Sequence, residues 1–458
     1  MAILALIYAC VGLLAAQDAL RLREQAREMH LHGMEAWWRG AGGEDEVLPL
    51  SCTPRSKLRD QRGTLDDALG NYSLTLVDAM DTYALMGEEE DFRRAVRTVI
   101  ATVSFDQNVS VSVFEATIRV LGGLLSSHLL VTAPGSRYCV VDDSGCYRGE
   151  LLALAHDLGV RLLPAFRTAT GLPSSTVHLQ TGRRGGGSKT CSAAAGSLVL
   201  EFALLSRLTG DASFEKAARG AVREIWRRRS ALDLVGNEID IHSGAWQGSI
   251  AGIGAGIDSF YEYLMKGSIL LHDAEWDTMW TKAKAAVRTH VAKVGGWWLN
   301  VDRTTGTTIG LPSITSLSAF WPGVLAAEAG AGELKRAQQS YANLAAVWRT
   351  FHGLPEAFLL RANLAPSAMA NAGFVSSVCA LANSFVAYYS FFVLIYSFVC
   401  TILLFSLSAQ VPAPSGAHRE LVSSVAAHAR RTIRYRSREY DARCAAALQD
   451  TVRLRCAR

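Results

Sequence analysis

The stretch SVFEATIRVLGGLL, residues 112–125, decides the fold because it is long, apolar and interrupted by only two charges. Apolar residues cover nearly the whole helical circumference, which is typical of a helix buried inside a protein. Glu115 and Arg119 stand four residues apart and so lie on one face of that helix. Burying a carboxylate is costly unless it is paired or hydrogen-bonded. Taken alone, the stretch favours an internal ion pair, with a functional carboxylate as the alternative.

Isolated carboxylates in apolar helical stretches recur along the chain. LTLVDAMDTYALMG places Asp78 and Asp81 on one face of a helix, and GIGAGIDSFYEYLMK does the same for Asp258 and Glu262. HGLPEAF adds Glu356 in a turn framed by Gly and Pro. Glycoside hydrolysis requires two carboxylates that flank a bond, one to protonate the leaving oxygen and one to activate water or attack the sugar. These residues are therefore candidates for glycosidase chemistry.

Aromatic side chains near these segments offer faces on which sugar rings stack, although core packing is their commoner role. They are Trp246, Phe260, Tyr261, Phe320 and Trp321. Phe320 is our candidate for a sugar contact.

Helical spacing of apolar residues extends from Thr64 to about Arg349. Predicted helices include residues 111–130, 192–208, 248–266 and 313–327. The chain has 458 residues, of which 50% are hydrophobic and 19% charged, so extensive disorder is excluded. Its net charge is only +4 and its basic residues are interspersed with acids, which argues against nucleic-acid binding. We expect one all-α domain of packed helical hairpins.

The first 16 residues are mostly apolar, end in small residues and give way to polar ones, a pattern typical of a signal peptide. An uncleaved anchor is the alternative, but a spanning helix needs about 20 apolar residues. Sequons at Asn71 and Asn108 and nine cysteines without CxxC pairs fit an oxidising lumen. Cys139 and Cys146 bracket a short polar loop and are either disulfide-bonded or two free thiols.

Seven motifs, in this order along residues 29–358, resemble glycoside hydrolase family 47, the class I α-1,2-mannosidases, and most of all its ER degradation-enhancing branch. They read RGTLDDALGNYSLTLVDAMDTYALMG, SVFEATIRVLGGLLSSHLL, GELLALAHDLGVRLLPAF, TCSAAAGSLVLEFALLSRLTGD, GIGAGIDSFYEYL, SLSAFWPGVLA and HGLPEAF. The resemblance implies an (α/α)₇ barrel whose inner helices line a pocket. It also implies removal of α-1,2-linked mannose from N-glycans with inversion of configuration.

The resemblance implies a role for each carboxylate. Glu115 is similar to the acid that protonates the leaving group, directly or through a water, and Asp258 and Glu356 are similar to its catalytic partners. Residues that would support the sugar or a metal-bound water are Asp78, Asp81, Arg119 and Glu262. The family also implies Ca²⁺ at the base of the pocket.

After Phe358 the chain departs from the family pattern. The family continues with an RPE-type motif that carries the general base, whereas residues 362–417 contain no charge. We find no counterpart of that base or of the family's calcium-binding threonine, so the metal ligands stay unassigned. The barrel is expected to be incomplete at its C-terminal end.

Three interpretations of the uncharged segment remain open. Residues 387–407 are long and apolar enough to cross a bilayer, with the Arg-rich tail, residues 418–458, on the cytosolic side. Alternatively the segment is noncoding sequence translated by an incorrect gene model, or a buried barrel helix. The tail faintly resembles later family sequence, which favours the gene-model interpretation.

We therefore expect a glycosidase that acts on high-mannose N-glycans of misfolded glycoproteins in the ER lumen or at the ER membrane. The alternative, based on the missing base motif, is a catalytically inactive protein that binds mannose-rich glycans or misfolded clients. A third alternative is that the chain does not fold without the final barrel helices. The sequence leaves open which mannose branch is cut, whether an oxidoreductase partner is recruited through a cysteine, and whether the compartment is the ER or the Golgi.

Overall fold

A computed structural model of the chain describes residues 21, 23–55, 66–133, 136–138, 141–142, 145–328 and 331–360. Several predictions lie outside the described residues: the signal peptide, the Cys139–Cys146 pairing, the uncharged segment and the Arg-rich tail. These, and the domain boundaries built on them, stay predictions. Cys52 takes part in a disulfide bond, whereas Cys191 is a free thiol.

Helices make up most of the described chain, beginning with α1 over residues 23–40. The other α-helices are α2 (Leu74–Met86), α3 (Glu89–Thr102), α4 (Val113–Glu115), α5 (Gly122–Thr132), α6 (Glu150–Leu162), α7 (Ser192–Gly196), α8 (Val199–Thr209), α9 (Ser213–Arg227), α10 (Asp258–Leu270), α11 (Ala274–Ala286), α12 (Trp321–Ala327) and α13 (Ala331–Phe351). Two π-helical segments, Ala116–Leu121 and Val287–Val291, continue α4 and α11. Short 3₁₀ helices occupy Leu163–Phe166, Val294–Gly296 and Ser316–Phe320.

Strands of two or three residues form six small antiparallel sheets within the described residues. They are β1 (Glu46–Leu48), β2 (Thr53–Arg55), β3 (Ser110–Ser112), β4 (Val141–Asp142), β5 (Gly145–Cys146), β6 (Thr176–His178), β7 (Arg184–Gly185), β8 (Lys189–Cys191), β9 (Glu238–Asp240), β10 (Ile250–Ala251), β11 (Val301–Asp302), β12 (Ser313–Thr315) and β13 (Ala357–Leu359). The sheets pair β1 with β2, β4 with β5, β8 with β9, β10 with β11 and β12 with β13, while β6 lies between β3 and β7.

Two kinds of helix alternate along the chain. Helices α2, α5, α8 and α10 bury side chains around most of their circumference, whereas α3 and α9 bury one face only. Each of the helices α2, α5, α8 and α10 contacts the next inner helix and also the outer helix that follows it along the chain, so it lies on the inside of the fold. Within the described residues the inner–outer pairs are α2/α3, α5/α6, α8/α9, α10/α11 and α12/α13. The chain therefore builds the helical hairpins that its sequence predicts.

A short strand leads into several of the inner helical segments. β3 runs directly into α4 and β8 into α7, while β10 precedes α10 and β12 precedes the 3₁₀ turn before α12. Since inner helices alternate with antiparallel outer ones, their N-terminal ends lie at one end of the barrel. The predicted helix starts at residues 111, 248 and 313 were wrong, because strands this short show no periodicity of their own.

Inner helices approach one another closely through glycine. A Cβ at position 123 would lie only 2.4 Å from the Val77 carbonyl oxygen, so α5 meets the backbone of α2 where a side chain has no room. The helical segments Val113–Thr132 and Ser192–Thr209 are long and apolar enough to span a membrane, yet both are mostly buried inside the protein. Their apolar character therefore reflects their inner position in the fold.

Candidate active site

Glu115 lies at the end of α4, where an α-helical turn passes into the π-helical segment Ala116–Leu121. The Ser112 hydroxyl accepts a hydrogen bond from the Glu115 backbone N–H at 3.2 Å and so fixes the start of this helix. Arg119 Nε donates to Glu115 Oε2 at 2.7 Å. The ion pair that the sequence favours is therefore present, but at a π-bulge, a feature frequent at functional sites.

Arg119 also reaches a second carboxylate. Its Nη1 lies 3.4 Å from Asp78 Oδ2, so one guanidinium joins carboxylates from α2 and α4. Burial raises the pKa of Asp78 although Arg119 opposes that shift. Asp81, one turn along α2, accepts a hydrogen bond from Ser126 of α5 at 2.8 Å. Asp78 thus belongs to the Glu115 network, whereas Asp81 joins two inner helices.

Asp258 is the first residue of α10, directly after a glycine-rich turn. Its Oδ1 accepts the Ser259 backbone N–H at 2.7 Å, and a helix N-terminus normally favours a carboxylate. Burial outweighs that effect and raises the pKa of Asp258 to about 6, with Glu262 adding to the shift. A carboxyl group of this kind exchanges its proton near neutral pH, as an acid–base catalyst must.

Glu262 lies one turn further along α10 and forms an ion pair with Lys266 at 2.6 Å. Both side chains are almost fully buried, at 5% and 2% exposed. The intervening Tyr263 hydroxyl donates to Glu201 Oε1 at 2.7 Å. Burial raises the pKa of Glu201 to about 7, and its Oε2 is buried without a hydrogen-bond partner among the described residues. Glu201 therefore has one carboxylate oxygen that the described protein leaves unsatisfied.

Glu201 faces the helix that carries Glu115. A Cβ at Gly122 would lie 3.9 Å from Glu201 Cγ, and Gly122 directly follows the π-helical segment that begins after Glu115. We call Asp78, Glu115, Glu201, Asp258 and Glu262 the inner-helix acidic cluster. Sequence reasoning missed Glu201, although LVLEFALL shows the same carboxylate in apolar surroundings that singled out Glu115.

The predicted third catalytic carboxylate, Glu356, lies on a different element. Its side chain is exposed, and its carbonyl oxygen accepts the Ser316 backbone N–H at 2.9 Å. The neighbouring Thr315 hydroxyl lies 3.5 Å from the backbone nitrogen of Ala255, in the turn before Asp258. The β12–β13 pair therefore places the Glu356 backbone near the turn that leads to Asp258.

Phe320, predicted to contact sugar, is buried, and its ring packs edge-on against Trp321 at a centroid distance of 5.7 Å. Phe260, Tyr261 and Trp321 are likewise buried in the core, while Trp246 is partly exposed. The packing of Phe320 lends no support to a sugar contact, which stays a prediction.

The chain matches a known family over most of its length. The model of glycosyl hydrolase family 47 covers residues 29–384. The chain belongs to glycosyl hydrolase family 47. The chain is 40% identical over 343 residues to human ER degradation-enhancing alpha-mannosidase-like protein 2, a match that covers 75% of this chain and 56% of that protein. It is 41% identical over 344 residues to Alpha-mannosidase I MNS4 of Arabidopsis thaliana, covering 75% and 52%.

The chain thus spans about half the length of the curated relatives it matches. Among solved structures, the family 47 fold is found in the alpha-1,2-mannosidase from Trichoderma reesei, with a TM-score of 0.63 at 24% identity over 76% of this chain and 71% of that one. The fold is therefore the all-α (α/α)₇ barrel of family 47, as the sequence motifs imply. These relatives are named as mannosidases or mannosidase-like proteins.

Family 47 enzymes are generally calcium-dependent, so we tested whether the described residues fit the ion. Ca²⁺ takes six to eight oxygen ligands. Glu201 Oε2 is a suitable oxygen without a partner in the described chain, but Glu262 is held by Lys266. No group of three or more Asp, Glu, His or Cys side chains among the described residues is placed to hold a metal. These residues do not fit a Ca²⁺ site, and calcium stays a prediction.

Proposed function

We propose that this protein removes α-1,2-linked mannose from high-mannose N-glycans by inversion, in the quality control and degradation of misfolded glycoproteins. The observation that carries the proposal is the inner-helix acidic cluster, whose buried or partly buried carboxylates lie on successive inner helices of a family 47 barrel. Burial raises the pKa of Asp258 to about 6 and that of Glu201 to about 7. Such groups hold or release a proton near neutral pH, which is what acid–base hydrolysis of a glycoside needs.

Glu115 is assigned as the acid that protonates the leaving oxygen, directly or through a water. Arg119 orients its carboxylate by the 2.7 Å hydrogen bond to Oε2. Asp258, at the N-terminal end of α10, is the second catalytic carboxylate, and Glu356 is the third. Inversion requires two carboxyl groups about 6.5–9.5 Å apart, so that a water fits between the sugar and the base.

The proposed substrates and compartment follow from the relatives. Relatives named as ER degradation-enhancing mannosidase-like proteins support a site of action in the secretory pathway. We assign the protein to the ER lumen or the ER membrane, with misfolded glycoproteins as partners. An oxidoreductase partner and membrane attachment remain predictions from the sequence.

A second candidate function is binding without hydrolysis. The sequence after Phe358 lacks the RPE-type motif that carries the family's general base. Loss of one member of a catalytic set lowers the rate by orders of magnitude and leaves much of the binding intact. In this case the protein recognises mannose-rich glycans or misfolded clients and does not trim them.

The test is to incubate the purified full chain with a high-mannose oligosaccharide and to follow mannose release by proton NMR. Inversion is expected to release β-mannose first, and Glu115→Gln to lower the rate about 10²–10⁴-fold. The matched control is Glu35→Gln, because Glu35 pairs with Arg39 at the same four-residue spacing on the exposed helix α1 and should not change the rate. Binding without release would favour the second candidate, and neither binding nor release would reject both.

A further inference from the structure

The two N-glycosylation sequons of the chain place their asparagines in opposite environments. Asn71 begins the sequon Asn-Tyr-Ser before α2, and Asn108 begins Asn-Val-Ser before β3. Glycosylation takes place at the side-chain nitrogen Nδ2 of such an asparagine. The decisive question is therefore what each Nδ2 contacts in the folded protein.

Asn71 lies in a loop that is wrapped around the buried carboxylate of Asp45. The Asp45 oxygens accept backbone N–H groups of Gly70, Asn71, Tyr72 and Leu74 at 2.7–3.1 Å. Asn71 itself has φ +60°, a left-handed conformation that non-glycine residues rarely adopt. The other two sequon residues are buried, with Tyr72 1% and Ser73 6% exposed. This loop leaves little freedom at the Asn71 position.

The Nδ2 atom of Asn71 is itself engaged, since it donates to Gln107 Oε1 at 3.1 Å. The orientation of the Gln107 amide is fixed independently, because its Nε2 donates to the carbonyl oxygen of Ser104 at 3.1 Å. Only one of the two Nδ2 hydrogens makes this bond, so a sugar on Asn71 Nδ2 would have to fit beside Gln107 in a part-buried loop.

Asn108 shows the reverse arrangement. Its side chain is exposed, and the atom used in its hydrogen bond is Oδ1, 3.1 Å from His178 Nε2. The His178 tautomer decides this orientation: Nδ1 accepts the Thr181 backbone N–H at 3.3 Å, so in the neutral ring Nε2 carries the proton and donates to an oxygen. Asn108 Nδ2 has no hydrogen-bond partner among the described residues and lies on an exposed side chain.

We propose that Asn108 carries an N-linked oligosaccharide and that Asn71 stays unmodified. In the reaction, Asn108 Nδ2 attacks the anomeric carbon of a lipid-diphosphate-linked oligosaccharide. A nitrogen–carbon bond forms, the carbon–oxygen bond to phosphate breaks, the lipid diphosphate leaves and Nδ2 loses one proton. The proposal rests on the secretory location that is part of the proposed function.

The glycan on Asn108 stands close in sequence and in space to the candidate active site. β3 begins two residues later and ends at Ser112, whose hydroxyl caps the helix of Glu115. Four residues of extended chain separate Asn108 from Ser112, at most about 14 Å. His178 and the β3–β6 pairing hold this end of the strand, so the glycan leaves the protein from an ordered surface.

The test is to express the full chain in cells with an N-glycosylation machinery and to compare its electrophoretic mobility before and after peptide N-glycosidase F. One glycan is expected on the wild type and on Asn71→Gln, and none on Asn108→Gln. Ser110→Ala should also abolish the shift, while Ser110→Thr, which preserves the sequon, should retain it. Mass spectrometry after enzymatic release in heavy-oxygen water should then label position 108 and leave position 71 unlabelled.

A mobility shift that is lost in Asn71→Gln, or two shifts that are lost separately, would overturn the proposal. Protease protection of the chain in isolated microsomes separates the remaining outcomes. A protected chain without a glycan would reject the Asn108 site and leave the location standing. An unprotected chain would reject both the Asn108 site and the secretory location. Mannose release by the purified chain tests the hydrolase activity itself and is independent of either result.

Discussion

The inner helix α10 and the surface helix α1 carry the same charge pattern with different consequences. Glu262 and Lys266 on α10, and Glu35 and Arg39 on α1, each pair across four residues. The α10 side chains are 5% and 2% exposed, whereas those on α1 are 58% and 68% exposed. Exposed pairs contribute about 0–1 kcal/mol, while breaking a buried pair costs several times more. Spacing alone therefore does not show which ion pair matters.

The same contrast governs the protonation of single carboxylates. On the outer helix α9, hydrogen bonds from Arg228 and Arg227 outweigh the effect of burial and lower the pKa of Glu224. On the inner helix α8, burial dominates and raises the pKa of Glu201 to about 7. An outer glutamate thus stays charged, whereas an inner one is poised to exchange a proton. This difference suits the carboxyl groups of Glu201 and Asp258 to proton exchange near neutral pH.

The largest expected effect is on stability when the buried pair is broken. Lys266→Met removes the ammonium group that pairs with Glu262 and should lower the free energy of unfolding by about 3–5 kcal/mol, measured by urea denaturation. Arg39→Met on α1 should change it by about 1 kcal/mol or less.

A double variant distinguishes the cost of an unpaired buried charge from a simple loss of packing. Replacing both members of the buried pair, Glu262→Met with Lys266→Met, should recover much of the loss because no buried charge remains. Equal losses for Lys266→Met and Arg39→Met would show that burial does not separate the two helices.

Sequence reasoning identified much of the cluster because buried carboxylates stand out in apolar helices. It found Asp78, Glu115, Asp258 and Glu262, and it missed Glu201, which carries the same pattern on α8. The same pattern applied to α8 would have found Glu201, and the roles of all five carboxylates stay predictions.

Other features were beyond the reach of sequence patterns. The strands β3, β10 and β12 have only two or three residues, too few to show the alternation of a strand. Phe320 packs against its sequence neighbour Trp321 and lies in a core whose other members are mostly far from it in sequence. Aromatic composition cannot separate a core ring from a sugar-binding ring, because both require an apolar face.

Replacing a helical glycine with alanine should have an intermediate effect on stability, of opposite sign in an inner and an outer helix. A Cβ at Gly123 would lie 2.4 Å from the Val77 carbonyl oxygen, whereas one at Gly220 on the outer helix α9 would meet nothing within 4 Å. Gly123→Ala should therefore destabilise the protein by about 1–3 kcal/mol through overpacking. Gly220→Ala should stabilise it by about 0.5–1 kcal/mol, because alanine favours the helix. Thermal unfolding of both variants checks the prediction, and shifts of the same sign would contradict it.

A further expected effect, smaller than that of breaking the buried ion pair, is a pH dependence of the free energy of unfolding that separates Asp258 from Asp240. Burial raises the pKa of Asp258 from 3.8 to about 6, so the stability that its protonated form contributes is present below pH 3.8 and is lost as the pH rises through 6. Asp258→Asn does not titrate and serves as the reference. Relative to it, the free energy of unfolding of the wild type should fall by about 1–2 kcal/mol between pH 4 and 7. The full pKa shift, at about 1.4 kcal/mol per pKa unit, sets the upper limit of this loss, and partial exposure of the side chain reduces it.

The control for that measurement is Asp240→Asn, at the last residue of β9, which is only partly buried. Hydrogen bonds from Ser243 lower the pKa of Asp240 to about 2, so its contribution to stability is present above pH 3.8 and is lost as the pH falls through 2. Between pH 4 and 7 the difference between this variant and the wild type should stay constant. Urea denaturation at each pH gives both curves. If Asp258→Asn also ran parallel to the wild type, Asp258 would be as well solvated as Asp240, and the acid–base role argued from its burial would lose its physical basis.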